Sequence, residues 1–275
     1  MQTANRLRRA VWGAYQHGAL GFAKGAAYSA LLSFFPVLTT TTAMLVQLDA
    51  AAVSRKITAF LFRVAPPGVE ELVRYEMTQR GARPVALPIA ASVLALWAAS
   101  GVMMSLMEGF QGAYQRKSTR GIVHGRWISM WLVLVSIGPV VGASALMIFG
   151  DRAENKVLQL AGVLDVGETL RGGVKLVSMA VRYAVAMGTI VVVAALLYLF
   201  GPDAGRKRKI WPGARVAMGL WLAITLAFAW YVRNIANYNV LYGSIGAVIA
   251  LCVWMWLLAL SAMVGCEYNA LLDKK

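Results

Sequence analysis

The amino-acid sequence predicts an all-α polytopic membrane protein, a bundle of about six transmembrane helices with short amphipathic helices in the outer loops. Three observations carry that expectation. Of 275 residues, 59% are hydrophobic and 14% charged, where a soluble domain carries about 45–50% apolar and about 25% charged residues. The apolar residues gather in runs of about 18 or more with almost no charge, the length a bilayer core demands. Trp127, Trp131, Trp211, Trp230, Tyr231 and Tyr242 stand at run ends, where an interfacial aromatic belt belongs. Mean hydropathy is +0.63. No soluble-looking block is large enough to fold alone, so residues 1–275 read as a single transmembrane domain.

Residues 1–24 are basic and semi-polar. Leu7, Ala10, Val11 and Ala14 recur at helical spacing, with Arg6, Arg8 and Arg9 beside them. That pattern suits a short helix on the cytoplasmic membrane surface. It does not suit a removable signal peptide: the apolar run that follows is too long for one and lacks a cleavage site.

The expected spans are 25–48, 85–107, 127–149, 183–200, 213–232 and 243–265. The first contains Pro36, tolerable where neighbouring helices re-satisfy the freed backbone groups. Pro84 and Pro88 begin the second, and Gly138-Pro139 lies near the middle of the third. The fourth is the shortest, about 27 Å of helix. Two outer-loop stripes, Val69/Leu72/Val73/Met77 and Val157/Leu160/Ala161/Leu164, have helical spacing and read as amphipathic helices.

Orientation follows from Lys and Arg. Arg6, Arg8, Arg9 and Lys24, then Arg116, Lys117, Arg120 and Arg126, then Arg206, Lys207, Arg208 and Lys209 form dense clusters on one side. The opposite loops are also basic, but Glu70, Glu71, Glu76, Asp151, Glu154, Asp165 and Glu168 accompany them. The unopposed clusters favour a cytoplasmic N-terminus, and an even span number then puts the C-terminus there too. The net charge of +15 is accordingly assigned to anionic headgroups rather than to nucleic acid, for which no aromatic-interleaved basic motif is present.

Residues 26–38 read AAYSALLSFFPVL, and residues 242–272 read YGSIGAVIALCVWMWLLALSAMVGCEYNALL. These segments resemble the two signature stretches of the YihY/BrkB family of bacterial inner-membrane proteins. The six-span plan and the Arg-bearing loop after span two match as well, so the resemblance covers essentially the whole chain. One departure is Cys266, where the family's G-A-E-x-N close has Ala. The resemblance implies an all-helical inner-membrane protein linked to virulence and envelope integrity, without an established general activity. Some members have carried the label ribonuclease BN.

That label does not fit the residues. A metal-dependent nuclease needs clustered His and Asp ligands, whereas His17 and His124 are the two histidines and lie in separate segments. GxSxG, P-loop and HExxH motifs are missing too. No catalytic residue, metal site or cofactor is therefore expected. Cys252 and Cys266 lie about 21 Å apart along one helix, beyond disulfide reach, and read as packing residues.

The candidate functional residues are of three kinds. Gly25, Ser29, Ser33, Pro36 and Thr40 share one face of span one, either as a close-packing seam or as the polar lining of a substrate path. Gly138-x-x-x-Gly142 and Ser261-x-x-x-Gly265 read as packing seams, within one chain or between chains, so an oligomer stays open. Lys24, Glu108 and Glu267, with Asn269, fall at inner span ends, where they read as an ion-pair rim or as a charged gate. Arg182, Arg233 and the cluster Arg206, Lys207, Arg208, Lys209 are headgroup candidates. The expected function is transporter- or flippase-like, moving a lipid, amphiphile or small solute. The alternative is a non-catalytic scaffold in envelope assembly.

Overall fold

A computed structural model describes residues 2–47, 86–115, 120–160, 173–203, 208–234 and 243–274. Among them every regular element is helical: α1 (Gln2–Gln16), α2 (Ala19–Gln47), α3 (Ala86–Ala113), α4 (Ile122–Leu160), α5 (Gly173–Phe200), α6 (Trp211–Asn234) and α7 (Gly243–Asp273). Six of these, α2 to α7, contain stretches long and apolar enough to cross a bilayer. A lone helix is the expected solution there, because it satisfies its own backbone groups where no water can.

The six long helices close a ring. Each packs on the next in the chain, and α7 returns to α2. α7 also touches α3 across the ring, and α1 docks on α7 and α2. Because the helices alternate in direction, both described termini lie at one end of the bundle, called here the terminal end. The other is the far end.

The main cluster of buried side chains lies at the terminal end. It is made of Ala10 and Ala14 from α1, Ala23 and Ala26 from α2, Phe110 from α3, Tyr198 from α5, Ala214 and Ala217 from α6, and Met263, Cys266 and Ala270 from α7. Alanines and glycines dominate because helices in lipid gain stability by close approach rather than by hiding apolar surface.

All six long helices overrun the expected spans at one end or both, and α4, α5 and α7 do so most. α4 continues to Leu160 through the polar stretch after residue 150, which holds no Pro or internal Gly to stop it. At 39 residues it is about 58 Å long, well beyond the hydrocarbon thickness of about 30 Å. Val157 and Leu160 thus end this long helix instead of starting a separate one; Ala161 and Leu164 lie outside the described residues. The same holds for the Val69/Leu72/Val73/Met77 stripe. α5 begins at Gly173 and α7 runs on to Asp273, so Arg182 and Glu267 stand inside helices rather than at their ends.

α1 is helical as expected, but its Ala10/Ala14 face is buried against protein. Small side chains at this spacing let α7 approach. The outward face carries Val11, Trp12 and Tyr15, with the rings of Trp12 and Tyr15 stacked 5.6 Å apart.

Candidate functional site

The sequence folds a polar site around the junction of α1, α3 and α7. α1 ends at Gln16, and Gly18 turns the chain into α2 with a φ of 77°, a conformation glycine adopts without steric cost. The turn presents His17 to α7. Gly13, one turn earlier, leaves room for the acid: a Cβ there would come within 2.6 Å of Glu267 Oε1.

Glu267 is 2% exposed. Its Oε2 lies 3.1 Å from His17 Nδ1. The other ring nitrogen of His17 is 2.8 Å from the amide nitrogen of Gln115. Lys274 donates to Gln115 Oε1 at 3.3 Å. These contacts fit one proton arrangement. Gln115 faces Lys274 with its acceptor and so offers its N–H to His17 Nε2, which leaves Nδ1–H to donate to the Glu267 carboxylate. A hydrogen-bonded chain thus runs from a buried carboxylate to a surface ammonium. Gln115 has a φ of 52°, a left-handed conformation that costs a non-glycine residue roughly 1 kcal/mol or more. Here it closes α3 through a bond from its N–H to Gly112 O and aims the amide at His17.

Beside this chain lies a cleft of about 930 Å³. Leu7, Val11, Trp12 and Leu271 give it apolar walls, Arg8, Arg9 and Lys274 a basic rim, and Glu267 with His17 a polar floor. An amphipathic cleft of this kind accommodates a chain and a charged group together.

Asn269, two residues on from Glu267, braces the backbone. Its Oδ1 accepts the N–H of Gly213 at 2.7 Å and its Nδ2 donates to Ile210 O at 3.0 Å. It therefore caps the first turn of α6 from another helix, satisfying a donor that the helix cannot satisfy itself. A Cβ on Gly213 would collide with Gly265 O, and one on Gly265 with Gly213 O and the Tyr198 hydroxyl. α6 and α7 therefore touch backbone to backbone, and Gly265 of the Ser261/Gly265 pair forms a seam. Gly138 and Gly142 have nothing within 4 Å of a Cβ among the described residues.

Arg208, of the basic cluster after α5, bonds within the protein, as does Arg120. Arg208 donates to Leu199 O at 2.6 Å and Pro202 O at 3.3 Å, and Arg120 to Phe200 O at 3.1 Å and Gly201 O at 2.8 Å. Both guanidinium groups cap the carbonyl end of α5, where positive charge is favoured. Arg208 also lies over the Tyr114 ring. Tyr114 donates to Asp273 Oδ2 at 3.4 Å, and burial, with Asp273 nearby, pushes its phenol above the ordinary tyrosine range. Lys209 is exposed. Arg206 and Lys207 lie outside the described residues, as does the side chain of Arg233. Arg182 is 7% exposed, packed on Gly150 and bonded to Ser178, so it faces protein rather than the lipid surface.

The span-one stripe meets α3. Gly25 faces Ser105, Ser29 Oγ lies 2.8 Å from the Cβ position of Gly101, and Ser92 donates to Thr40 at 3.5 Å. Ser33 bonds back to Ala30 O at 2.9 Å, and Pro36 lies within the same helix. Gly25, Ser29 and Thr40 of the stripe pack on α3 in this conformation. Glu108 sits apart from Glu267, in a second cleft of about 300 Å³ with Gln111 and Arg120; Lys24 and His124 are exposed. Among the described residues, no group of three or more His, Cys, Asp or Glu side chains gathers as a metal site would require.

Two participants were hidden from the sequence. His17 stood only as one of two scattered histidines, and Arg126 as one more loop cation. Arg126 in fact stacks on the Trp97 ring, 4.1 Å from its centroid, and donates to Trp97 O at 2.9 Å. The apolar run after Arg126 starts with Trp127, and nothing in that spacing reveals that α4 begins so deep.

Ring, spans and polar end define a multi-pass helical membrane protein. The chain belongs to the Virulence factor BrkB family, whose pattern matches residues 11–275. It is 30% identical over 253 residues to the ribonuclease-like protein YfkH of Bacillus subtilis (strain 168), covering 90% of this chain and 88% of that one. It is 23% identical to a UPF0761 membrane protein of Alteromonas mediterranea (90% and 81% covered) and 23% identical to one of Aeromonas salmonicida (96% and 88% covered). No solved structure matches the chain.

Proposed function

We propose that this protein is a transporter- or flippase-like component of the bacterial inner membrane, with both termini cytoplasmic, and that it moves a lipid, amphiphile or small solute in support of envelope integrity. It acts without enzymatic chemistry; the ribonuclease-like name of one relative describes that protein. The observation that carries the reading is the cleft between α1 and α7, where an apolar wall, a basic rim and a buried carboxylate converge. The rim of Arg8, Arg9 and Lys274 suits an anionic headgroup, and Leu7, Trp12 and Leu271 suit its chain.

In this reading the Glu267–His17 pair is a latch. It ties α1 to α7 at the floor of the cleft; cargo passes when the carboxylate exchanges His17 for a polar group of the cargo and α1 swings about Gly18, so the acid is needed as well as the opening. The α2–α3 seam then separates, and its small polar face (Ser29, Ser33, Thr40) becomes the lining. Pro36 weakens α2 there because it contributes no N–H to the helix.

Reconstitution tests this directly. Proteoliposomes carrying a fluorescent phospholipid should equilibrate it between leaflets faster than protein-free liposomes. Glu267→Ala and the double variant Ser29→Ala/Ser33→Ala should lose that activity while keeping the wild-type circular dichroism spectrum. Undiminished movement in both variants removes the mechanism. Native mass spectrometry of the purified protein should find a co-purifying amphiphile that Glu267→Ala loses. A protein that carries none, and that cross-links to one stoichiometric partner in membranes, overturns the transport reading in favour of a scaffold.

A further inference from the structure

Arg126 is a charge at the wrong depth for a loop cation. Gly101 is the midpoint of the 25-residue apolar stretch Ile89–Ala113. Arg126 Nη1 comes within 4.0 Å of the Cβ position of Gly101, and its Nη2 bonds Trp97 O, one turn farther from the terminal end. The preceding residue, Gly125, lies opposite Met104. The side chain therefore runs from the level of Met104 toward the middle of the bundle, away from the nearer headgroups. Long basic side chains ordinarily snorkel the other way, and a charge in the hydrocarbon is costly and by default functional.

The guanidinium is not neutralised. No carboxylate pairs with it among the described residues, and its Nε is buried without a hydrogen-bond partner. A single bond to protein is made by its five N–H groups. Ser100 and Ser129, buried on either side, spend their hydroxyls on Trp97 O and Arg126 O. The guanidinium carbon lies 4.1 Å from the centroid of the Trp97 ring, and its planar fork is suited to phosphate oxygens. Trp97 is 58% exposed, and Val93 and Leu94 beside it are exposed too. The cluster thus lies on an outward apolar surface, level with the middle of that apolar stretch.

We propose that Arg126, held by Trp97, is an intramembrane binding site for the phosphate of an anionic lipid, drawn from the bilayer at the α3–α4 face. A lipid is the source rather than a free ion because the site opens sideways onto exposed apolar residues. The site stands whether or not the protein transports.

The test uses the full chain in nanodiscs of phosphatidylcholine doped with phosphatidylglycerol. Native mass spectrometry of the wild type should retain one phosphatidylglycerol after collisional stripping of the rest. Arg126→Gln should lose it, and Arg215→Gln, at an exposed cation of α6 outside the α1–α7 cleft, should keep it. Phosphatidylglycerol should also raise the wild-type Tm relative to pure phosphatidylcholine, and that increment should vanish in Arg126→Gln; a merely structural arginine would lower Tm equally in both discs. Retention unchanged in Arg126→Gln, or displacement of the retained lipid by inorganic phosphate, overturns the proposal. Should the variant fail to fold, wild-type protein decides the matter. Phosphatidylglycerol with a photoreactive headgroup should label residues 97–101, and label confined to α1 or the basic loop after α5 overturns it.

Discussion

At the terminal end, Gly213 and Gly265 press backbone on backbone, Ala214 and Cys266 have no accessible surface, and Tyr198 is fully buried with its hydroxyl 2.6 Å from Ala262 O. Nearer the far end, Gly138 and Gly142 face nothing within 4 Å among the described residues, and Val140, Val141, Leu226 and Trp230 are exposed. The same helices build both ends. What differs is the spacing of small residues and the supply of directional bonds. The terminal end holds the carboxylate chain of Glu267, the cap from Asn269 and the two arginine caps on α5. Local stability follows such contacts, so the terminal end is the rigid base and the far end is where the bundle separates most easily.

That comparison can be broken at its strongest point. Gly213→Val drives a branched side chain into Gly265 O and Asn269, and overpacking against backbone should cost about 3 kcal/mol or more, seen as a large drop in thermal unfolding temperature. Preserved stability would mean that the two helices are not in contact. His17→Ala strips the Glu267 carboxylate of its partner while the acid stays buried; a loss of about 1–3 kcal/mol is expected, and Glu267→Gln should recover part of it in the double variant. Asn269→Ala removes the cap from α6, for about 1–2 kcal/mol, with faster hydrogen exchange in the first turn of that helix. Gly142→Ala should do the reverse. It meets open space, so the helix gains about 0.5–1 kcal/mol. A marked loss there would show that the far end is packed after all.

Much of this architecture was legible in the sequence because the bilayer demands long apolar runs and aromatic ends. The overruns were not. The stretch after Gly150 looks like a loop by charge, yet nothing in it breaks a helix, and α4 carries on to Leu160. Of the site, Glu267 stood out because an acid near a span is rare. Its partner did not, since His17 lies 250 residues away and shares no periodicity with it. The useful signal was local: Ala10, Gly13 and Ala14 on one helix announce a close neighbour, though not which one. Arg126 was masked by a rule that counts cations by loop, which says nothing about where a side chain points.

The latch between His17 and Glu267 also has a bearing on biogenesis. Its halves belong to α1 and α7, and so do Gly13 and the acid it accommodates. While the ribosome is still feeding the middle spans into the bilayer, α1 has no seat and the start of α6 has no cap. Assembly of the terminal end therefore waits for α7 to leave the translocon and then completes in one step. A chain stalled before that point leaves a histidine, an alanine face and uncapped amides without their α7 partners.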